Sequence, residues 1–349
     1  MKLRVLGALL FVLMLSYSVY RSSAASPIVT GQFPTLTPIR GTPALGTPKN
    51  ASSFTFVAGG DNRPPSDKDD QPPIFQTITK QLSGTGAAFV IWSGDSVYGK
   101  LKDPEKDKDK EKIKKEYETF ESIIGQANLP VFNVPGNHEM LMKGNVPDPT
   151  GSLVKYFEKY VGPQYGYFTY GDSAFIGLNT DDTVASIDAK PSADSYAGNV
   201  GADQLAGLTS ILATLAADSS IAHIFVFMHR PIFSTPGKSA DALGPPSGPA
   251  VQALLTNYAK YPNLSFVIAG HQHLFYAAPP ASAYGMSFTR TDPASAAPIF
   301  LISGGAGACL AGSAKPDSGG FNNYLLVTVN GANVTVTVKN LGSTKQPGC

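Results

Sequence analysis

Six residues spread along most of the chain could together hold metal ions: Asp61, Asp95, Asn137, His229, His271 and His273. Carboxylate and amide oxygens suit hard cations, and imidazoles suit zinc, iron, copper and nickel. This mixed set is too large for one tetrahedral ion, whereas two ions sharing one carboxylate would use it fully. A pair of metals about 3.5 to 4 Å apart activates a water and clamps both oxygens of an in-line phosphoryl displacement. His138 stands beside Asn137 without being needed as a ligand. Arg63 and Tyr98 lie close in sequence to the two aspartates.

Placing such donors at one point requires elements that all end there. Leu129 to Val134 is an apolar run that reads as a buried strand, and Gly136-Asn-His-Glu139 follows it as a tight loop. Phe54 to Ala58 runs into Asp61, Phe89 to Trp92 into Asp95, Ile224 to Met228 into His229, and Leu264 to Ile268 into His271 and His273. Open α/β sheets build their sites at the carboxyl ends of their strands. Helical periodicity over Ile74 to Leu82, Ile113 to Ile124, Leu153 to Tyr160, Ala202 to Ala216 and Ala250 to Tyr258 alternates with these strands and predicts α/β layering. Tyr165 to Tyr170 with Ala174 to Leu178, and Tyr324 to Val329 with Val334 to Lys339, read as hairpins, the second closed by Asn330-Gly331.

Taken together, Gly60-Asp61, Gly94-Asp95, Gly136-Asn-His-Glu139, His229 and Gly270-His-Gln-His273 resemble the motifs of the calcineurin-like metallophosphoesterases, in that family's order. The resemblance implies an α/β/β/α sandwich of two mixed sheets flanked by helices, with a dinuclear site at the strand ends. It implies that Asp95 bridges the metals, that Asp61 and His273 hold the first, and that Asn137, His229 and His271 hold the second. His138 matches the family's catalytic histidine, which contacts phosphate and leaving group. The function implied is hydrolysis of phosphate monoesters by a metal-bound hydroxide. A phosphodiesterase acting on nucleotides or lipid head groups, and a metal-containing binding protein without turnover, are the alternatives.

Two departures bear on the first metal. Many relatives carry Asp-x-His in the first motif, but here the third position is Arg63, a guanidinium that could hold phosphate bidentately. Tyr98 falls where purple acid phosphatases carry a metal-bound tyrosine, and Val226-Phe-Met-His229 resembles their Val-x-x-His motif. That likeness implies iron paired with zinc, manganese or iron, with Tyr98 as a ligand; Tyr98 as a packed aromatic is the alternative. No histidine lies between His229 and His271 to supply the further substrate contacts of those enzymes. Asp181 and Asp182 are weaker candidates at a strand end, and His223 reads as structural.

The remaining features bound the setting. The chain has 349 residues, 42% of them hydrophobic and 15% charged, which describes a soluble globular protein. Its formal net charge of +1 gives no reason to expect nucleic acid or a membrane surface as partner. Residues 1–25, with Lys2 and Arg4 before the apolar Val5 to Leu15 and small residues at Ser22 to Ala25, read as a cleaved secretory signal, an uncleaved anchor being the alternative. A secreted, periplasmic or cell-surface protein without stable membrane association after cleavage is expected, acting on a small phosphorylated substrate. Residues 26–50 read as a Pro/Thr/Gly-rich linker or arm, 51–342 as the phosphoesterase domain and 343–349 as a tail. An oxidising compartment would let Cys309 and Cys349 pair; two free thiols are the other reading. The run Lys102 to Glu118 holds seven lysines and seven acids and reads as a solvated helix or insertion.

Overall fold

The computed structural model describes residues 33–182, 197–278, 286–291, 297–311, 315, 317, 319–343 and 345–349. The proposed signal segment and the start of the arm lie outside these residues. Within them the chain forms β1 (Ser53–Gly59), α1 (Pro73–Leu82), β2 (Val90–Trp92), α2 (Asp107–Ile124), β3 (Val131–Asn133), α3 (Asn137–Met140), β4 (Leu141–Met142), β5 (Val146–Pro147), α4 (Ser152–Tyr160), β6 (Gly166–Tyr170) and β7 (Ser173–Leu178). There follow α5 (Ala202–Ala217), β8 (His223–Met228), α6 (Gly248–Leu255), β9 (Leu264–Ala269), β10 (Phe275–Ala278), β11 (Ser287–Arg290), β12 (Ile299–Ser303), β13 (Asn323–Asn330) and β14 (Asn333–Asn340).

Two six-stranded sheets carry the fold, in the orders β11-β14-β13-β1-β2-β3 and β10-β12-β9-β8-β7-β6. In the first, β1, β2 and β3 run parallel; in the second, β7, β8, β9 and β12 do. The parallel strands are apolar along both faces because helices cover one face and the other sheet covers the second. Phe56, Phe89, Phe132, Phe168, Phe175, Phe225 and Phe266 fill the space between the sheets. Their rings stack or meet edge-on, with Phe89 and Phe175 at 4.9 Å and Phe175 and Phe225 at 5.0 Å between centroids. Truncating such a ring to alanine costs about 3 to 5 kcal/mol in a packed core.

Outside the first sheet, α1, α2 and α4 pack Phe75, Ile78, Ile113, Phe120 and Phe157 onto Val57, Val90 and Trp92. Outside the second, α5 and α6 place Leu208, Leu212, Val251 and Leu255 on Ile176, Val226 and Val267. The result is the α/β/β/α sandwich that the sequence motifs imply. Among the described residues no helix is long and apolar enough to cross a membrane.

Several boundaries differ from the sequence reading. Helix α2 starts at Asp107, so most of the balanced charge run, from Asp107 to Glu118, is helical rather than an insertion; Asp107 and Asp109 in its first turn complement the helix dipole. Helix α6 stops at Leu255, and the chain turns at Asn257, whose carbonyl accepts from Tyr261. Residues 33–50 lie along the domain, with Leu36 N donating to Tyr167 O at 2.9 Å and Ile39 N to Val131 O at 2.7 Å. Cys309 and Cys349 form a disulfide that ties the last residues to the loop after β12.

Candidate active site

The carboxyl ends of β1, β2, β3, β8 and β9, taken from both sheets, meet at one place. Asp61, Asp95 and His271 there adopt positive φ, at 63°, 50° and 68°. A left-handed residue that is not glycine costs energy and persists only where its surroundings enforce it. What enforces it is the close approach of the strand-end loops. A Cβ added at Gly136 would run into the Asp95 carboxylate, and one added at Gly270 would run into that of Asp61. The glycine before or opposite each ligand therefore lets the loops close until the carboxylates face inward.

Asp61, Asp95 and His229 each bring a donor atom to within 4.8 Å of the others, and all three are buried. His229 Nδ1 lies 2.8 Å from the Ser93 carbonyl, which can only accept, so Nδ1 carries the hydrogen. Its Nε2 then faces Asn137 Oδ1 at 3.0 Å and Asp95 Oδ1 at 3.4 Å. His273 is fixed in the same way: Nδ1 donates to the Cys309 carbonyl at 2.6 Å, and Nε2 faces Asp61 Oδ1 at 3.5 Å. Acceptor atoms thus converge at two places, an arrangement that suits bound cations. His271 differs. Arg230 Nη1, which can only donate, lies 3.2 Å from His271 Nε2, and His271 Nδ1 lies 3.0 Å from His229 Nε2. Ligation through Nδ1 requires the hydrogen to move to Nε2 and Arg230 to turn from it.

The electrostatics point the same way. Burial and the neighbouring Asp95 push the Asp61 carboxyl well above its usual range, against hydrogen bonding from His271 N–H and the charge of Arg63. Burial also acts to raise Asp95, but His229, His138, Arg63 and His271 outweigh it and leave Asp95 well below the usual range. Adjacent buried carboxylates resist a second negative charge unless a cation joins them. The donor set fits bound metal, with Asp61, Asp95 and His229 as the cluster that could hold it.

Glu139, next to His138, holds the loops together. Its carboxylate accepts from the backbone N–H of Asp95 (3.0 Å), Ser96 (2.6 Å), Val97 (3.2 Å) and Gly136 (2.8 Å). Such charge-assisted bonds are the stronger kind. His138 is half-buried, its N–H donates to Asp95 Oδ1 at 3.0 Å, and its Nδ1 is held by the Tyr98 carbonyl. That leaves Nε2 for an incoming group. Burial lowers the His138 pKa well below its ordinary value, with Asp95 opposing.

Arg63 and Tyr98 flank the converging donor atoms. Arg63 Nε forms an ion pair with Asp95 Oδ2 at 3.4 Å, on the side of the first metal position. The Tyr98 ring meets His138 edge-on at 5.5 Å and lies under Lys112 Nζ at 5.4 Å; its hydroxyl has no hydrogen-bond partner among the described residues.

Sequence reasoning missed three residues. Lys100, at φ 50° and buried, donates from Nζ to Asn137 O (2.9 Å) and Asn145 Oδ1 (2.7 Å). Arg230 follows His229 and donates from Nε to buried Asp181 at 2.8 Å, which gives that weaker candidate a role behind His271. Asn62 accepts from Trp92 Nε1 at 2.8 Å and donates to Gln71 and to Ser96 O, bracing the Asp61 loop from below. Only adjacency to a motif marked them, and adjacency says nothing about direction. His223 bonds Ser265 Oγ and Gly331 O and stays structural. Gly305 to Ala308 packs on the first motif, with Ala306 N donating to Gly60 O and Ala308 N to Asp61 O.

Against curated protein sequences, nothing matches. Among solved structures, the chain is similar to the purple acid phosphatase PPD1 of yellow lupin (Lupinus luteus), at 15% identity and a TM-score of 0.56, over 84% of this chain and 53% of that one. The chain thus spans about half the length of that enzyme. It is similar also to PhoD, at 13% identity and a TM-score of 0.53 over 87% of this chain and 74% of that one. GAP50, described as the anchor in the inner membrane complex of Plasmodium, matches at 15% identity and a TM-score of 0.50 over 84% and 86%. These likenesses concern the fold. The profile of the calcineurin-like phosphoesterases matches residues 60–275, more than half of the chain and the stretch that carries every ligand described above. The chain therefore belongs to the calcineurin-like phosphoesterase family, whose members are metal-dependent.

Proposed function

We propose that this chain is an exported phosphatase that hydrolyses phosphate monoesters with two metal ions, iron paired with zinc, manganese or iron. Asp61, Asp95 and His273, with Tyr98 where its ring turns inward, would hold the first ion; Asp95, Asn137, His229 and His271 would hold the second. When bound, the ions supply an activated water and neutralise charge developing on the phosphoryl oxygens. The protein's own part is orientation and proton transfer. His138 is fixed through Nδ1 by the Tyr98 carbonyl and presents Nε2 at the half-buried mouth of the site. A dianionic phosphate against that ring favours its protonated form, from which the leaving oxygen takes a proton. Arg63, which pairs with Asp95 at 3.4 Å, would share its guanidinium with a phosphate oxygen.

The observation that carries this reading is the one imidazole left with a free, oriented Nε2 beside a set of converging ligands. A competing reading, a metal-containing binding protein without turnover, draws on the same Arg63, whose guanidinium already pairs with Asp95 Oδ2 at 3.4 Å. Turnover separates them. Purified protein loaded with iron, zinc or manganese should hydrolyse p-nitrophenyl phosphate faster than bis(p-nitrophenyl) phosphate. Faster diester cleavage would make it a diesterase, and bound metal without turnover would make it a binder. Elemental analysis with a visible spectrum decides the metals, a coloured ferric protein being expected where Tyr98 ligates. Export rests on the basic start and apolar run of residues 1–25; N-terminal sequencing of exported protein should begin near Ala25 or Ser26, and an intact Met1 would mean an anchor.

A further inference from the structure

Beside the candidate active site lies a hollow of about 350 Å³, within the usual size of a small-molecule pocket. Lys100, Lys102, Lys106, Lys108, Lys112 and Lys143 line it, against three aspartates, and Tyr98 forms part of its wall. In the sequence the run through this region is electrically balanced. Folding sorts it. Asp67 is taken up by Lys112 at 3.2 Å, which holds its carboxyl below the usual range, and Asp103 pairs with Lys106 at 3.4 Å. Asp109 is spent on backbone, accepting from the N–H groups of Lys102 (3.1 Å) and Asp103 (2.9 Å). Lys102, Lys108 and Lys143 are left without a carboxylate within ion-pair distance among the described residues, and all three are exposed. Lys143 is pinned to this side because its N–H donates to Leu101 O at 2.8 Å.

The hollow adjoins the site through two residues of its wall. Tyr98 lines it and meets His138 at 5.5 Å, while Lys100, also in its wall, donates to the carbonyl of Asn137. Ammonium groups bind phosphate as point charges. A confined basic pocket, on a chain whose formal net charge is only +1, suits a compact polyanion rather than an extended nucleic acid.

We propose that this hollow binds a second phosphoryl group, so that the substrate class is a small molecule carrying several phosphates; this rests on the phosphatase reading above. Two sources share that chemistry, a condensed phosphate chain and a polyol esterified at several positions. The test combines Lys102→Gln, Lys108→Gln and Lys143→Gln in the full-length, metal-loaded protein. Calorimetric titration is made in a His138→Ala background, so that binding is read without turnover, using sodium tripolyphosphate and inositol hexakisphosphate. The triple substitution should weaken binding of at least one of them about tenfold, as three exposed charge contacts of modest strength would. In the wild-type background it should leave kcat/KM for p-nitrophenyl phosphate within twofold. Weakening confined to tripolyphosphate assigns a condensed chain, and weakening confined to the inositol ester assigns a polyol. The proposal is overturned if neither probe binds more weakly, or if p-nitrophenyl phosphate turnover falls in equal measure. Should the wild type cleave no p-nitrophenyl phosphate, the phosphatase reading fails alone, and lysine-dependent binding would still uphold the hollow.

Discussion

His138 shows what a single side chain in this site contributes. It binds no metal in the proposed scheme; its Nδ1 is committed to the Tyr98 carbonyl and its backbone N–H to Asp95. Replacing it with alanine removes the proton donor while the ligands stay, so turnover of esters with poor leaving groups should fall by roughly two to four orders of magnitude. Activated esters, whose leaving oxygen needs no proton, should suffer much less. Metal content by elemental analysis should match the wild type, and loss of both ions would make His138 a ligand. At this scale the sequence was informative where residue type dictates chemistry. Asp, Asn and His at strand ends are the residue types that can ligate metal, and the structure brings them together. Lys100 and Arg230 were illegible because a lysine or arginine beside a motif is ordinarily solvated. What distinguishes them is a direction inward, and direction is a tertiary property.

The elements explain how the ligand loops keep their shape. Helix α2 does so at a distance: Glu116 Oε2 accepts from Gly99 N at 2.8 Å, fastening the loop after Asp95 to the helix. Burial raises the Glu116 pKa from 4.5 to about 7, with the Gly99 N–H and Lys112 opposing. The folded pKa thus lies above the unfolded one. The stability associated with the protonated form is fully present below about pH 4.5 and is lost as pH rises through about 7. Glu116→Gln keeps an acceptor for Gly99 and cannot ionise. The variant should match the wild type in denaturant unfolding near pH 4. It should exceed the wild type at pH 8 by up to about 3 kcal/mol, the value of the shift at about 1.4 kcal/mol per unit. A wild type that is the more stable at pH 8 would mean that the Lys112 ammonium, 3.8 Å away, outweighs burial. The core strands were readable because they are continuous apolar runs. The extension of α2 into the charge run was not, since only Ile113, Tyr117, Phe120 and Ile124 on its inner face are buried and the first turns carry no apolar signal.

For the whole molecule, the decisive fact is that the candidate ligands come from two sheets. Asp61, Asp95 and Asn137 follow strands of the first, and His229, His271 and His273 follow strands of the second. That each of these residues follows a strand was legible in the sequence, because strand-then-polar-loop repeats along the chain. Assignment of each strand to a sheet was not, since pairing is fixed by contacts distant in sequence, such as β1 beside β13. The disulfide was equally open, because two cysteines 40 positions apart pair only if the fold brings them together. Here it does, and Cys309 in turn offers its carbonyl to His273. Metal ions bound between the sheets should therefore act as a clamp on the global fold rather than as a local ornament. Ligand at a hundred times its dissociation constant stabilises the native state by about 2.7 kcal/mol. Removing metal with a chelator should accordingly lower the single calorimetric transition, and adding it back should restore the transition in a concentration-dependent way. Asp95→Asn, which weakens the shared carboxylate, should make the protein insensitive to that addition. If chelation abolishes activity but leaves the transition where it was, the sheets are held by their aromatic core alone and the ions occupy a site the fold has already built without them.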